Sequence, residues 1–70
     1  MKPDEIKKIT DYMRRVFGSA SLEVRARPKK EDSAEVYVGD EFIGVIYRDD
    51  EDGEDDLSYN FTMSILAYDL

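Results

Sequence analysis

The sequence predicts an α+β domain, with one N-terminal helix packed on a four-stranded antiparallel β-meander (αββββ), two layers in a single domain over residues 1–70. Three observations carry this prediction. Apolar residues recur at three- and four-residue spacing between Pro3 and Phe17. A Gly39-Asp40 pair separates two runs rich in β-branched and aromatic residues, AEVYV and EFIGVIYR. Finally, residues 57–65 alternate apolar with polar, the mark of a strand with one buried and one wet face.

The helical stripe is Ile6, Ile9, Met13, Val16 and Phe17, with Tyr12 on its flank and Lys7, Lys8, Asp11, Arg14 and Arg15 opposite. Its ends agree with its middle. Pro3 suits the first helical position, Asp4 and Glu5 complement the positive end of the dipole, Arg14 and Arg15 the negative end, and Gly18 supplies a left-handed stop. A first strand, Leu22 to Arg27, places Leu22, Val24 and Ala26 on one side and Glu23, Arg25 and Arg27 on the other. Pro28 ends it, and PKKEDS forms a polar connection to the next strand.

A two-residue type II′ turn at Gly39-Asp40 sets the register of the central hairpin. Val38 then faces Glu41, Tyr37 faces Phe42, Val36 faces Ile43, Glu35 faces Gly44 and Ala34 faces Val45. On that register Ala34, Val36, Val38, Ile43, Val45 and Tyr47 lie under the helix with Leu22 and Val24. Arg25, Arg27, Glu35, Tyr37, Phe42, Gly44, Ile46 and Arg48 take the helix-free side. The acidic run DDEDGEDD (49–56) reads as a solvated connection. In the last strand Leu57, Tyr59, Phe61, Met63 and Ile65 share the buried face, while Leu66, Tyr68 and Leu70 fall on the second side. No internal repeat or linker is present.

A chain of 70 residues buries a smaller share of its surface than an average domain. With no cysteine and no histidine, neither a disulfide nor a tetrahedral zinc site can compensate, which leaves self-association or very regular local structure. The net charge of −7 is unevenly distributed: residues 1–30 carry +5 and residues 31–70 carry −12. Such segregation favours head-to-tail packing or an oppositely charged partner. No apolar run approaches the roughly 18 residues of a membrane span, and MKPDEIKK leads into an amphipathic pattern without a signal-peptide core. The expectation is a cytoplasmic protein with no membrane partner.

The strings MKPDEIKKI, RPKKEDSAEVYVGDEFIGVIYRDDEDGE and LSYNFTMSIL resemble a family of short alphaproteobacterial proteins known as a domain of unknown function. The likeness covers nearly the whole chain. It implies a bacterial, cytosolic, stand-alone small protein and brings no site residues with it.

Several candidate sites follow from the residues. Tyr37, Phe42, Gly44 and Ile46 on the helix-free side, with Tyr68 at their edge, form a contact surface for a second copy or another protein. A mid-strand glycine costs stability unless a ring or backbone must approach closely; the competing readings are that Gly44 marks a bulge or that the C-terminal tail packs there. The basic residues Arg25, Arg27, Lys29, Lys30 and Arg48 around Tyr37 and Phe42 have the make-up of a sheet that stacks single-stranded RNA, although the charge of −7 opposes phosphate binding. Asp50, Asp52 and Asp55 offer oxygens for a divalent cation. The spacing fails a calcium loop, because Gly53 at the sixth position puts Arg48 at the first and Tyr59 at the twelfth.

Catalysis has the least support. The chain lacks the commonest base and the commonest thiol nucleophile, and Ser19, Ser21, Ser33, Ser58 and Ser64 have no imidazole to activate them. No catalytic residue and no cofactor is expected. The reading is a small non-enzymatic interaction module that homodimerises through the helix-free face of its sheet, with RNA binding and then cation binding as alternatives.

Overall fold

The computed structural model describes residues 1–50 and 57–70. Helix α1 (Pro3–Phe17) is followed by β1 (Leu22–Arg27), β2 (Lys30–Val38), β3 (Glu41–Asp49) and β4 (Ser58–Thr62), and a short 3-10 turn (Ala67–Asp69) comes last. The strands form one antiparallel sheet in the order β1-β2-β3-β4, which is the expected meander.

The helix starts and stops for the reasons its sequence gives. The Lys2 N–H, which has no partner inside the helix, donates to Glu5 Oε1 at 3.2 Å. At the other end Gly18 takes φ 62°, and the Ser19 N–H turns back onto the Arg14 carbonyl at 3.1 Å. The strand expected to begin after a polar connection begins earlier. Arg27 pairs with Lys30 across only Pro28 and Lys29, and the register slips between Ala26 and Arg27 to accommodate so tight a turn. Ser33 is buried beside this slip and accepts a hydrogen bond from Arg27 Nη1 at 3.2 Å.

The turn at Gly39-Asp40 is where the sequence places it, but its type differs. Both residues have positive φ, 54° and 67°, so the turn is type I′, whose twist matches that of the flanking strands. Aspartate tolerates the left-handed region, which makes the pair suitable.

The hairpin register is corrected two residues beyond the turn. Val38 pairs with Glu41 and Tyr37 with Phe42, but Val36 then pairs with Gly44, Glu35 with Val45, Ala34 with Ile46 and Ser33 with Tyr47. Ile43 is the extra residue of a β-bulge, and one extra residue exchanges the two faces of everything after it. Gly44, Ile46 and Arg48 therefore lie on the helix side, against expectation, while Val45 and Tyr47 lie on the helix-free side. Tyr37 and Phe42 precede the slip and keep their places. Gly44 owes its identity to this layout: a Cβ there would come 2.4 Å from the Thr62 carbonyl oxygen and 2.7 Å from Phe61 Cε1.

The core lies between α1 and the first three strands. Ile9 and Met13 descend onto Leu22, Val24, Ala34, Val36 and Ile46, with Ile6, Val38, Ile43, Tyr59 and Phe61 packed around them. Strand β4 closes at Thr62, shorter than its alternating pattern, so Met63 and Ile65 leave the sheet and are exposed. Val16 and Phe17, assigned to the buried stripe by their spacing, are more than half exposed. The helix lies against β1, with Arg14 Nε donating to the Leu22 carbonyl at 2.7 Å, and leaves the β4 side of the same face open.

Candidate functional site

The uncovered half of the helix-side face is a groove of about 670 Å³. Met13, Ile46 and Phe61 line its floor, and Tyr12, Val16 and Phe17 form the helical wall. Phe17 meets Phe61 edge-on at 6.2 Å between ring centres and narrows one end. The other end is polar, with Lys2, Lys8, Arg48, Asp4, Glu5 and Tyr59. Tyr12, Val16 and Phe17 remain 56–57% exposed although they adjoin the core.

Glu5 organises the polar end. Besides capping the helix it accepts a hydrogen bond from the Tyr59 hydroxyl on Oε2 at 2.5 Å and sits 3.6 Å from Arg48 Nε. Arg48 in turn lies 3.6 Å from Asp50. Burial pushes the Glu5 carboxyl upward, but the Tyr59 hydroxyl, the Lys2 N–H and the Arg48 charge together outweigh it and hold the group below its ordinary 4.5. Burial, followed by the bond to Glu5, pushes the Tyr59 phenol up to about 12.

These shifts fix the sign of a pH dependence. Glu5 is depressed in the folded state, so its contribution is present above pH 4.5 and is lost as pH falls through the lower folded value. Tyr59 is raised, so its contribution is present below its ordinary value of 10 and is lost as pH rises towards about 12. Tyr59→Phe is expected to cost about 1–2 kcal/mol at neutral pH and to flatten much of the loss between pH 10 and 12. Urea unfolding across that range checks it. An alkaline limb identical in both proteins contradicts the Tyr59–Glu5 bond.

On the helix-free side Arg25 stacks over the Tyr37 ring at 4.0 Å, and Tyr37 meets Phe42 edge-on at 5.6 Å. This brings three of the expected nucleic-acid residues together, but the guanidinium is occupied: it bonds Glu23 and Asp40, both at 3.0 Å. Those acids hold the Arg25 charge in place, and Arg25 covers one face of Tyr37, while Phe42 stays half exposed beside it. The Tyr37 hydroxyl donates to Glu35, and that bond, followed by burial, raises its pKa. Arg27 turns to Ser33, Lys29 and Lys30 lie at the β1–β2 turn, and Arg48 is on the opposite face of the sheet.

The expected contact surface is likewise divided. Tyr37 and Phe42 share the helix-free side, Gly44 and Ile46 are buried beneath the helix side, and Tyr68 stands out on the C-terminal segment, 83% exposed. That segment touches the sheet lightly. Ser64, Leu66 and Asp69 border a shallow depression with Phe42, Val45 and Tyr47. Of the candidate cation ligands, Asp50 pairs with Arg48, whereas Asp52 and Asp55 lie outside the described residues. Among the described residues no group of three or more His, Cys, Asp or Glu is placed to hold a metal. No helix among them is long and apolar enough to cross a membrane.

Periodicity places Val16, Phe17, Tyr59 and Phe61 in the core and Tyr12 on its flank; Tyr59 and Phe61 do pack against the core, whereas Val16 and Phe17 stand exposed with Tyr12 along the groove, which periodicity does not reveal. The signal that could have found it is dimensional. Three strand spacings of about 4.8 Å plus the edge strands' own width exceed the roughly 10 Å that one helix covers.

The profile of a family described as protein of unknown function, DUF3126, matches residues 5–69. The chain belongs to this family. No curated protein and no solved structure matches it. Membership in DUF3126 agrees with the likeness to a domain of unknown function read from the sequence, while the groove and the Glu5 cluster rest on the geometry alone.

Proposed function

We propose that this chain is a small, non-enzymatic interaction module that associates with a second copy of itself through the apolar groove beside α1. The observation that carries the reading is the half-exposed row Tyr12, Val16 and Phe17, standing over a floor continuous with the core. Burial of such a face adds to the stability of so small a domain. The reading moves the contact from the helix-free side to the helix side because the bulge takes Gly44 and Ile46 there. A non-enzymatic role is supported by the absence of His and Cys and by the way the perturbed groups, Glu5 and Tyr59, bond to each other. A bacterial, cytoplasmic setting belongs to the same proposal and rests on the sequence resemblance.

Sedimentation equilibrium at about 10–100 μM tests it. A dimer is expected, and Val16→Asp, at an exposed helical position, is expected to dissociate it without changing the helical circular dichroism. A wild-type monomer throughout that range overturns the proposal.

A further inference from the structure

We infer that the occupant of the groove is the C-terminal segment Met63–Leu70 of the second copy, exchanged reciprocally between two chains. This deepens the self-association proposed above and rests on it. Both halves of the contact are present on one chain. Met63, Ile65, Leu66, Tyr68 and Leu70 are 48–92% exposed, an apolar series that meets the sheet only lightly, at Leu66, and among the described residues no segment occupies the groove. Their lengths agree: with Ala67–Asp69 in a 3-10 turn and the other five residues extended, the segment spans up to about 22 Å, and the fifteen residues of α1 that wall the groove rise about 22 Å.

Charge points the same way, and reciprocity doubles the contact that each chain offers. Asp69 is the sole charged side chain of the segment, and the polar end of the groove carries Lys2, Lys8 and Arg48 beside Asp4 and Glu5; Arg48 already faces Glu5 and Asp50, so Lys2 and Lys8 are the cations that Asp69 would meet. A standard stable interface buries about 800 Å² per partner. A single tyrosine supplies roughly 150–250 Å², and in a reciprocal exchange each chain contributes both a segment and a groove. The segment is poorly placed for its own groove. Beyond Thr62 it passes along the helix-free side, where Ser64, Leu66 and Asp69 border Phe42, Val45 and Tyr47, so a return would require reversal around the β4 edge. Two chains related by a two-fold axis satisfy both segments at once, and the assembly closes as a dimer.

A mixing experiment tests the exchange. Val16→Asp disables the groove and the double substitution Ile65→Asp, Leu66→Asp disables the segment; all three positions are exposed, and thermal unfolding verifies that each protein folds. Each variant alone is expected to dimerise at least about tenfold more weakly than wild type. An equimolar mixture is expected to recover a heterodimer, because one intact segment still meets one intact groove. A wild-type monomer overturns both the exchange and the self-association on which it rests. A dimer that survives the segment substitutions overturns the exchange and leaves the self-association standing. Two monomeric variants that fail to recover on mixing also overturn it, since they indicate a symmetric contact containing both regions.

Discussion

Ile46→Lys is expected to give a chain without a cooperative unfolding transition at 25 °C. Ile46 is 4% exposed, pairs with Ala34 and Phe61, and forms part of the floor beneath Ile9 and Met13. An unpaired ammonium there loses the burial of the isoleucine, about 1.5–3 kcal/mol, and adds the cost of an uncompensated charge, of order several kcal/mol. A 70-residue domain has a total stability of only about 3.5–10 kcal/mol. The informative control is Val45→Lys, one residue away on the helix-free side, which is expected to remain folded with a loss of no more than about 1–2 kcal/mol. Circular dichroism in a urea series compares the two. If Ile46→Lys folds normally and Val45→Lys does not, the bulge at Ile43 is wrongly placed and the uninterrupted hairpin register is the true one.

Gly44→Ala is the second large effect. The added carbon would lie 2.4 Å from the carbonyl oxygen of Thr62 and 2.7 Å from the Phe61 ring, closer than a real side chain tolerates. The ring can tilt, but the carbonyl can move only by opening the β3–β4 ladder near the Val45–Thr62 pair. A loss of about 3 kcal/mol is expected, at the upper end of what overpacking costs. Combining it with Phe61→Leu is expected to return only part of that loss, because the clash with the backbone remains. Full recovery in the double variant, read from urea midpoints, would locate the strain in the ring alone.

Much of this fold is legible in the sequence because it is set by short-range rules. The stripe Ile6, Ile9 and Met13, the stop at Gly18 and the turn at Gly39-Asp40 each depend on residues within a few positions of one another. The faces of β3 are not legible in the same way. Period-two reasoning carried outward from the turn assumes that no residue is skipped, and Ile43 breaks that assumption with only the neighbouring Gly44 as a local mark. The same limit applies to Val16 and Phe17, whose spacing qualifies them for the core. Whether they reach it depends on where α1 lies across a sheet wider than itself, and no local pattern encodes that position. The pairing of Tyr59 with Glu5, 54 residues apart, is likewise a product of the tertiary fold.

That single carboxylate has a consequence for how the molecule comes apart. Glu5 closes the first turn of α1 through Oε1, which accepts from Lys2, and anchors the final strand through Oε2, which accepts from Tyr59, so fraying at one terminus of the helix and detachment of the sheet margin draw on the two oxygens of one carboxylate. Losing either bond is therefore expected to loosen the element held by the other, which couples the first turn of α1 to β4 across the 54 residues between Glu5 and Tyr59.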